Sequence, residues 1–141
     1  MKTMLTAAAL ALVSTTALAD SSRLGFDGCY DMYRPGSMFP SFCLLGTAEE
    51  GVGGSNVRLA LFHTNTDQVT HCLRSDAVEL TEDSFTFIVN NKKEMILKNV
   101  VEENGLKSGV VVLGKTVLNF LERDETTTDQ LMRNAVEFCS K

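Results

Sequence analysis

The clearest pattern of apolar and polar positions lies in the second half of the chain. Phe85, Phe87 and Val89 alternate with Ser84 and Thr86, the period of a half-buried strand. Met95 to Val101 and Val110 to Leu113 are further apolar runs, each ending in turn chemistry. Asn104-Gly105 suits a type I′ hairpin, because both residues tolerate the positive φ angles that this turn demands. It predicts Val101 opposite Ser108, Asn99 opposite Val110 and Leu97 opposite Val112. Gly114-Lys115 suits a type II′ turn and predicts Leu113 opposite Thr116, Val111 opposite Leu118 and Gly109 opposite Phe120. Four antiparallel strands follow, at about 84–90, 93–101, 107–113 and 116–122. Val110 to Leu113 is apolar on both faces, so the pattern calls for cover on both sides of the sheet.

The C-terminal segment is the expected cover. Thr127-x-x-Gln130 fits a capping box, Asp129 suits the positive end of a helix, and Leu131, Met132, Ala135, Val136 and Cys139 recur as one stripe. These predict a helix over 127–139. The first half predicts four more strands. Residues 56–63 and 68–74 flank the polar turn Thr64 to Asp67, and a symmetric loop sets Phe62 opposite Val69 and Leu59 opposite Cys72. Cys72 then shares a face with Val57, Leu59 and Leu61. Residues 27–33 and 41–46 flank Arg34 to Ser37, which brings Cys29 opposite Cys43 and leaves Met38-Phe39-Pro40 in a loop.

The expected fold is all-β with one C-terminal helix: a small antiparallel eight-stranded barrel, with a two-sheet β-sandwich as the alternative. The order of elements over residues 26–139 resembles the calycin barrels, lipocalins especially. Gly28-Cys29-Tyr30 is similar to their Gly-x-Trp signature, although this chain contains no Trp. The resemblance implies an eight-stranded barrel and a disulfide to the C-terminal segment.

Residues 1–19 have the form of a secretory signal: Lys2, an apolar stretch from Leu5 to Val13, and a small-x-small site at Ala17-Leu18-Ala19. Residues 20–141 then form one domain, exported to the periplasm or the extracellular space. Four cysteines in such a chain, Cys29, Cys43, Cys72 and Cys139, imply two disulfides with three possible pairings. The spacing favours Cys29–Cys43 across a hairpin and Cys72–Cys139 between helix and barrel. Their wide separation argues against a zinc site. Without Lys2 the formal charge of −5 becomes −6, which disfavours nucleic acid and anionic membrane surfaces. Lys92-Lys93 is expected at a solvated turn. No later segment is long enough to insert in a membrane.

Candidate chemistry is sparse. His63 and His71, with Asp67 between them, are expected on opposite faces of their hairpin, so no metal is assigned. Gly46-x-x-x-x-Gly51 lacks the Lys-Ser/Thr of a phosphate loop and carries Glu49 and Glu50, so it is read as a strand connection. No nucleophile elbow and no C-x-x-C motif is present, so no catalytic residue and no cofactor is assigned. Asp27 and Asp31 lie on the face of Cys29 and are the carboxylates best placed for acid–base work; Glu102-Glu103 are expected at a solvated tip. Tyr30, Met32, Tyr33, Met38, Phe39 and Phe42 cluster around the first hairpin. The expected function is an exported, non-catalytic binding module. It would carry a small apolar ligand, or act through its loops as an inhibitor or partner-binding protein, with Met38, Phe39, Glu49, Glu50 and Val52 as the candidate contacts. A small enzyme using carboxylates or His71, and an accessory subunit of an envelope complex, are the alternatives.

Overall fold

The computed structural model describes residues 25–47, 56–64 and 66–140. Among the described residues nine strands precede one helix: β1 (Gly28–Arg34), β2 (Ser37–Leu45), β3 (Arg58–Phe62), β4 (Val69–Arg74), β5 (Ala77–Leu80), β6 (Phe85–Val89), β7 (Lys92–Glu103), β8 (Leu106–Leu113), β9 (Thr116–Glu122) and α1 (Glu125–Cys139). All nine strands form one antiparallel sheet in the order β4-β3-β2-β1-β9-β8-β7-β6-β5. The sequence reading of eight strands closed into a barrel is therefore corrected, and so is the two-sheet alternative. The sheet is a strongly curled half-barrel. Its curl follows from connectivity. β4 and β5 are the two open edges, yet only Ser75 and Asp76 join them. Such a link spans on the order of 11 Å. Nine flat strands would hold their edges on the order of 38 Å apart. The sheet must bend round until its edges converge at that end. Backbone bonds fasten the link there: the Asn56 amide donates to the Ser75 carbonyl, Ser75 to Val57, and Asp76 to Ile88.

The hairpin turns obey local backbone chemistry. Asn104 and Gly105 both have positive φ (55° and 81°), as a type I′ turn requires. Asn90 and Asn91 do likewise between β6 and β7 (53° and 65°), so the turn lies there and Lys92-Lys93 begins β7 instead. The Gly114 hairpin has the expected register throughout. The Asn104 hairpin pairs Val101 with Ser108 as expected, then slips. Asn99 takes a left-handed φ of 55° in a bulge, so Leu97 falls opposite Val111 and Lys98 opposite Val110. A second bulge, at Thr70, keeps Phe62 opposite Val69 but moves Cys72 opposite Ala60 and Leu73 opposite Leu59. Cys72 therefore does not share the face of Leu59; it lies on the opposite face.

Two cores result. The concave face is packed with Tyr30, Phe42, Leu44, Leu59, Phe85, Phe87, Met95, Leu97, Val111 and Phe120, all essentially without exposure. Tyr30 stacks on Phe42 and meets Phe120 edge-on, and its hydroxyl donates to the Phe26 carbonyl at 2.7 Å. The convex face carries α1, which packs on β1 to β4. Cys29, Cys43, Ala60 and Cys72 stand in one row across those four strands. The helix lies over this row with Leu131, Ala135 and Cys139 buried. Both expected disulfides are present, Cys29–Cys43 and Cys72–Cys139.

The helix starts earlier than the sequence suggested. Asp124 is its N-cap, accepting the Thr127 amide at 3.0 Å, so Thr127 sits inside the first turn. Gln130 bonds Asn134 rather than reaching back to a cap. Val136 is turned toward solvent.

Candidate functional surface

Each carboxylate proposed for acid–base work is engaged in holding the fold. Asp27 accepts from the Gly46 and Thr47 amides (3.0 and 2.6 Å) and from the Thr47 hydroxyl. Asp31 accepts from Ser41 Oγ at 2.7 Å and from Arg123 Nε at 2.9 Å. These donors fix the ends of β1 and β2 and the entry to α1. His71 faces Leu61, the position shifted by the Thr70 bulge, and is exposed; its Nδ1 lies 3.0 Å from Thr70 Oγ1. His63, also exposed, lies beyond the end of β3 with Nδ1 3.4 Å from the Thr64 carbonyl. By strand alternation the bulge gives the two histidines the same parity, not opposite faces. Among the described residues no group of three or more His, Cys, Asp or Glu is placed to hold a metal ion. Glu49, Glu50 and Val52 lie outside the described residues.

The concave end near Phe26 gathers charge. Lys107 is buried with its ammonium 5.5 Å from the Phe26 ring centroid, and its amide donates to Glu122 Oε1 at 2.9 Å. Burial pushes the Tyr30 phenol well above its ordinary pKa, and Glu122, Asp27 and Glu102 push it further. The phenol therefore stays protonated and serves as a hydrogen-bond donor. Glu102 stands opposite Lys107 in the β7–β8 ladder and is exposed, as is Glu103 at the strand end before the Asn104-Gly105 turn.

The β1–β2 hairpin differs from its sequence reading. Met38, Phe39 and Pro40 belong to β2, and the turn is Pro35-Gly36. Pro40, which has no amide to donate, falls at a bulge where β2 carries an extra residue opposite Asp31. Phe39 turns inward against the core with the Arg34 guanidinium 5.1 Å from its ring centroid, while Met38 turns outward and is 59% exposed. The structure thus separates the two residues proposed together as a partner site.

Met38 belongs instead to a surface the sequence pointed to without locating. Directly opposed residues share a sheet face. One convex row runs Ile96, Val112, Val117; the next runs Lys98, Val110, Asn119, Tyr33, Met38; a third includes Val101, Ser108, Leu121. Among the described residues α1 packs mainly on β1 to β4, away from the convex side of β7, β8 and β9. Val117 is 58% exposed, Val101 55%, Leu121 46% and Tyr33 36%. The cover required by Val110 to Leu113 is not supplied by the C-terminal helix. Among the described residues no helix is long and apolar enough to cross a membrane. Compared with protein-family models, curated proteins and solved structures, the chain matches none.

Proposed function

We propose that this chain is an exported, non-catalytic binding module that works by protein–protein contact through the convex face of β7 to β9 and the adjoining outer edge of the β1–β2 hairpin. The observation that carries this reading is the exposed apolar surface away from α1: the row Ile96–Val112–Val117, with Val110, Tyr33 and Met38 in the next row beside Lys98 and Asn119. The largest exposed apolar patch of a protein is often a site of interaction. The filled concave core favours protein contact over carriage of a small apolar ligand, since side chains occupy the space that a ligand would take. The structural bonds of Asp27 and Asp31 weigh against the carboxylate enzyme. Two disulfides accord with an oxidising compartment, periplasmic or extracellular.

The test is native mass spectrometry of the protein purified from its own host, beside the Val117→Lys variant. The reading expects protein subunits bound to the wild-type chain and lost from the variant. A wild-type chain carrying a small molecule instead, or showing turnover abolished by His71→Ala, overturns it.

A further inference from the structure

We infer that the concave end of the sheet carries a binding site for a small zwitterion of the amino-acid class: one carboxylate, one ammonium and a short apolar body. The inference stands apart from the protein-contact reading above. A cavity of about 270 Å³ opens where Phe26, the turn between β5 and β6, the end of β7 and the start of β8 meet. Ligand pockets run from about 300 Å³ upward, so only a small molecule fits. The Asn99 bulge shapes the recess. It turns Val100 inward onto the core, and the Val100 amide donates to the Asp83 carbonyl at 2.9 Å. That bond holds the turn bearing Glu82 and Asp83 against β7, and Glu102 lines the same cavity.

Lys107 selects the first charge. It lines the cavity and is 8% exposed, yet among the described residues its ammonium makes no ion pair and no hydrogen bond. It rests 5.5 Å from the Phe26 ring centroid. Glu122 is engaged by the Lys107 amide instead, through Oε1 at 2.9 Å. A buried cation held in this way lacks the partner that offsets its desolvation, and a bound carboxylate supplies one. The rim selects the second charge. Glu82, Asp83 and Glu102 set three negative charges against one positive, so a simple anion is repelled on entry. A simple cation meets the Lys107 ammonium already on the Phe26 ring. Nor do the carboxylates converge: among the described residues no three His, Cys, Asp or Glu are placed to hold a metal ion. A zwitterion suits both ends, with its carboxylate on Lys107, its ammonium toward Glu102 and Glu82, and its apolar body against Phe26 and Val100.

Isothermal titration calorimetry of the purified chain with L-leucine tests the inference, beside leucinamide, which lacks the carboxylate, and N-acetyl-leucine, which lacks the ammonium. Leucine should bind with a Kd of ~10–500 µM, and each analogue at least about tenfold more weakly. Lys107→Met keeps the apolar stem. It should weaken leucine about tenfold or more and leave leucinamide unchanged, because leucinamide has no carboxylate to lose. Glu102→Gln, at an exposed position, should weaken leucine about threefold or more and leave N-acetyl-leucine unchanged. Should Lys107→Met fold poorly, Glu102→Gln with the two analogues carries the test alone. Val117→Lys, on the convex face, should bind leucine as wild type does. Absence of leucine binding, equal binding of all three compounds, or leucine binding indifferent to both Lys107 and Glu102 each overturns the inference. Leucine binding by a chain that carries no protein partner leaves this site standing while the protein-contact reading falls. A partner released by Val117→Lys, with no leucine bound, does the reverse.

Discussion

Removing the Cys72–Cys139 disulfide with the double variant Cys72→Ala/Cys139→Ala should free α1 before it disturbs the sheet. The helix is 15 residues long, a length that is marginal on its own in water. It is held by Leu131 and Ala135, by the partly buried Met132 and Phe138, by the disulfide at its last residue, and through the Arg123 amide to the Cys29 carbonyl just before its start. The apolar contacts amount to about 5 kcal/mol at ~25 cal/mol per Å², and much of this is offset by ordering the segment. The disulfide closes a separation of 67 residues, which the chain-entropy model values at about 4 kcal/mol. The shorter separation of 14 residues at Cys29–Cys43 is worth about 3 kcal/mol in the same model. Without the longer tether, the docked helix is close to balance with the released one. With the sheet folded the tether closes only the segment from Arg123 to Cys139, worth about 3 kcal/mol, so hydrogen exchange read by mass spectrometry should show α1 peptides losing protection about a hundredfold and exchanging well ahead of peptides from β7 to β9. Far-UV circular dichroism should lose helical signal at urea concentrations where the sheet persists. A single transition, with α1 and β7–β9 losing protection together, would refute the reasoning, because it would show the apolar contacts alone binding helix to sheet.

Three further perturbations follow. Gly109→Ala should cost about 2–3 kcal/mol in urea unfolding, because a Cβ there would stand 2.8 Å from the Lys98 carbonyl oxygen, 2.9 Å from that of Asn99 and 3.0 Å from the Phe120 ring; an unchanged midpoint would show that the β7 bulge yields freely. Tyr30→Phe should cost about 1 kcal/mol by leaving the Phe26 carbonyl without its donor, with the aromatic packing retained, as thermal unfolding can check. Asp124→Ala should lower the unfolding midpoint at pH 7 and flatten its acid dependence. The Thr127 amide and hydroxyl hold the Asp124 carboxyl below its ordinary pKa. A depressed native pKa gives stability that is present above the unfolded value, near 4, and is lost as pH falls through the native one. Wild type should therefore lose this contribution below about pH 4 while the variant has none to lose, and parallel pH profiles would contradict the cap.

How far the sequence could be read depended on the length scale of each signal. Turns made by one dipeptide were legible: Asn104-Gly105 and Gly114-Lys115 fixed two hairpins, and the latter fixed its whole register. Both cysteine pairings were legible, yet Cys72 reached the right partner from the wrong face. The Thr70 bulge inserts one residue, and one residue inverts every later side chain. Nothing in Val69-Thr70-His71 announces that insertion. The Asn99 bulge left only a trace, an Asn in a strand, where a left-handed φ is tolerated. β5 was missed because Ala77–Leu80 is four residues with no alternation. Met38-Phe39-Pro40 was placed in a loop but belongs to β2, with Pro40 at a bulge. The functional surface was half legible. The two-sided apolar pattern of Val110 to Leu113 demanded cover, but which face α1 would take depended on the long-range pairing of β1 with β9, which no local pattern encodes.

That pairing divides the molecule in a way its sequence order conceals. β4 to β1 form one meander of consecutive hairpins and β5 to β9 form another. Their strands pair along a single ladder, Tyr30–Tyr33 against Asn119–Glu122, and at the far side the two-residue link joins them, while both line the concave core. Cleaving the chain between Ser75 and Ala77 would sever no strand ladder. Each fragment would keep all its local hairpins, and the Cys72–Cys139 bond would still join the two covalently. The fold is thus two small sheets zipped edge to edge. Its slow step should be the closing of that one seam across about 90 residues of chain, since non-local pairing is what delays β-rich folding.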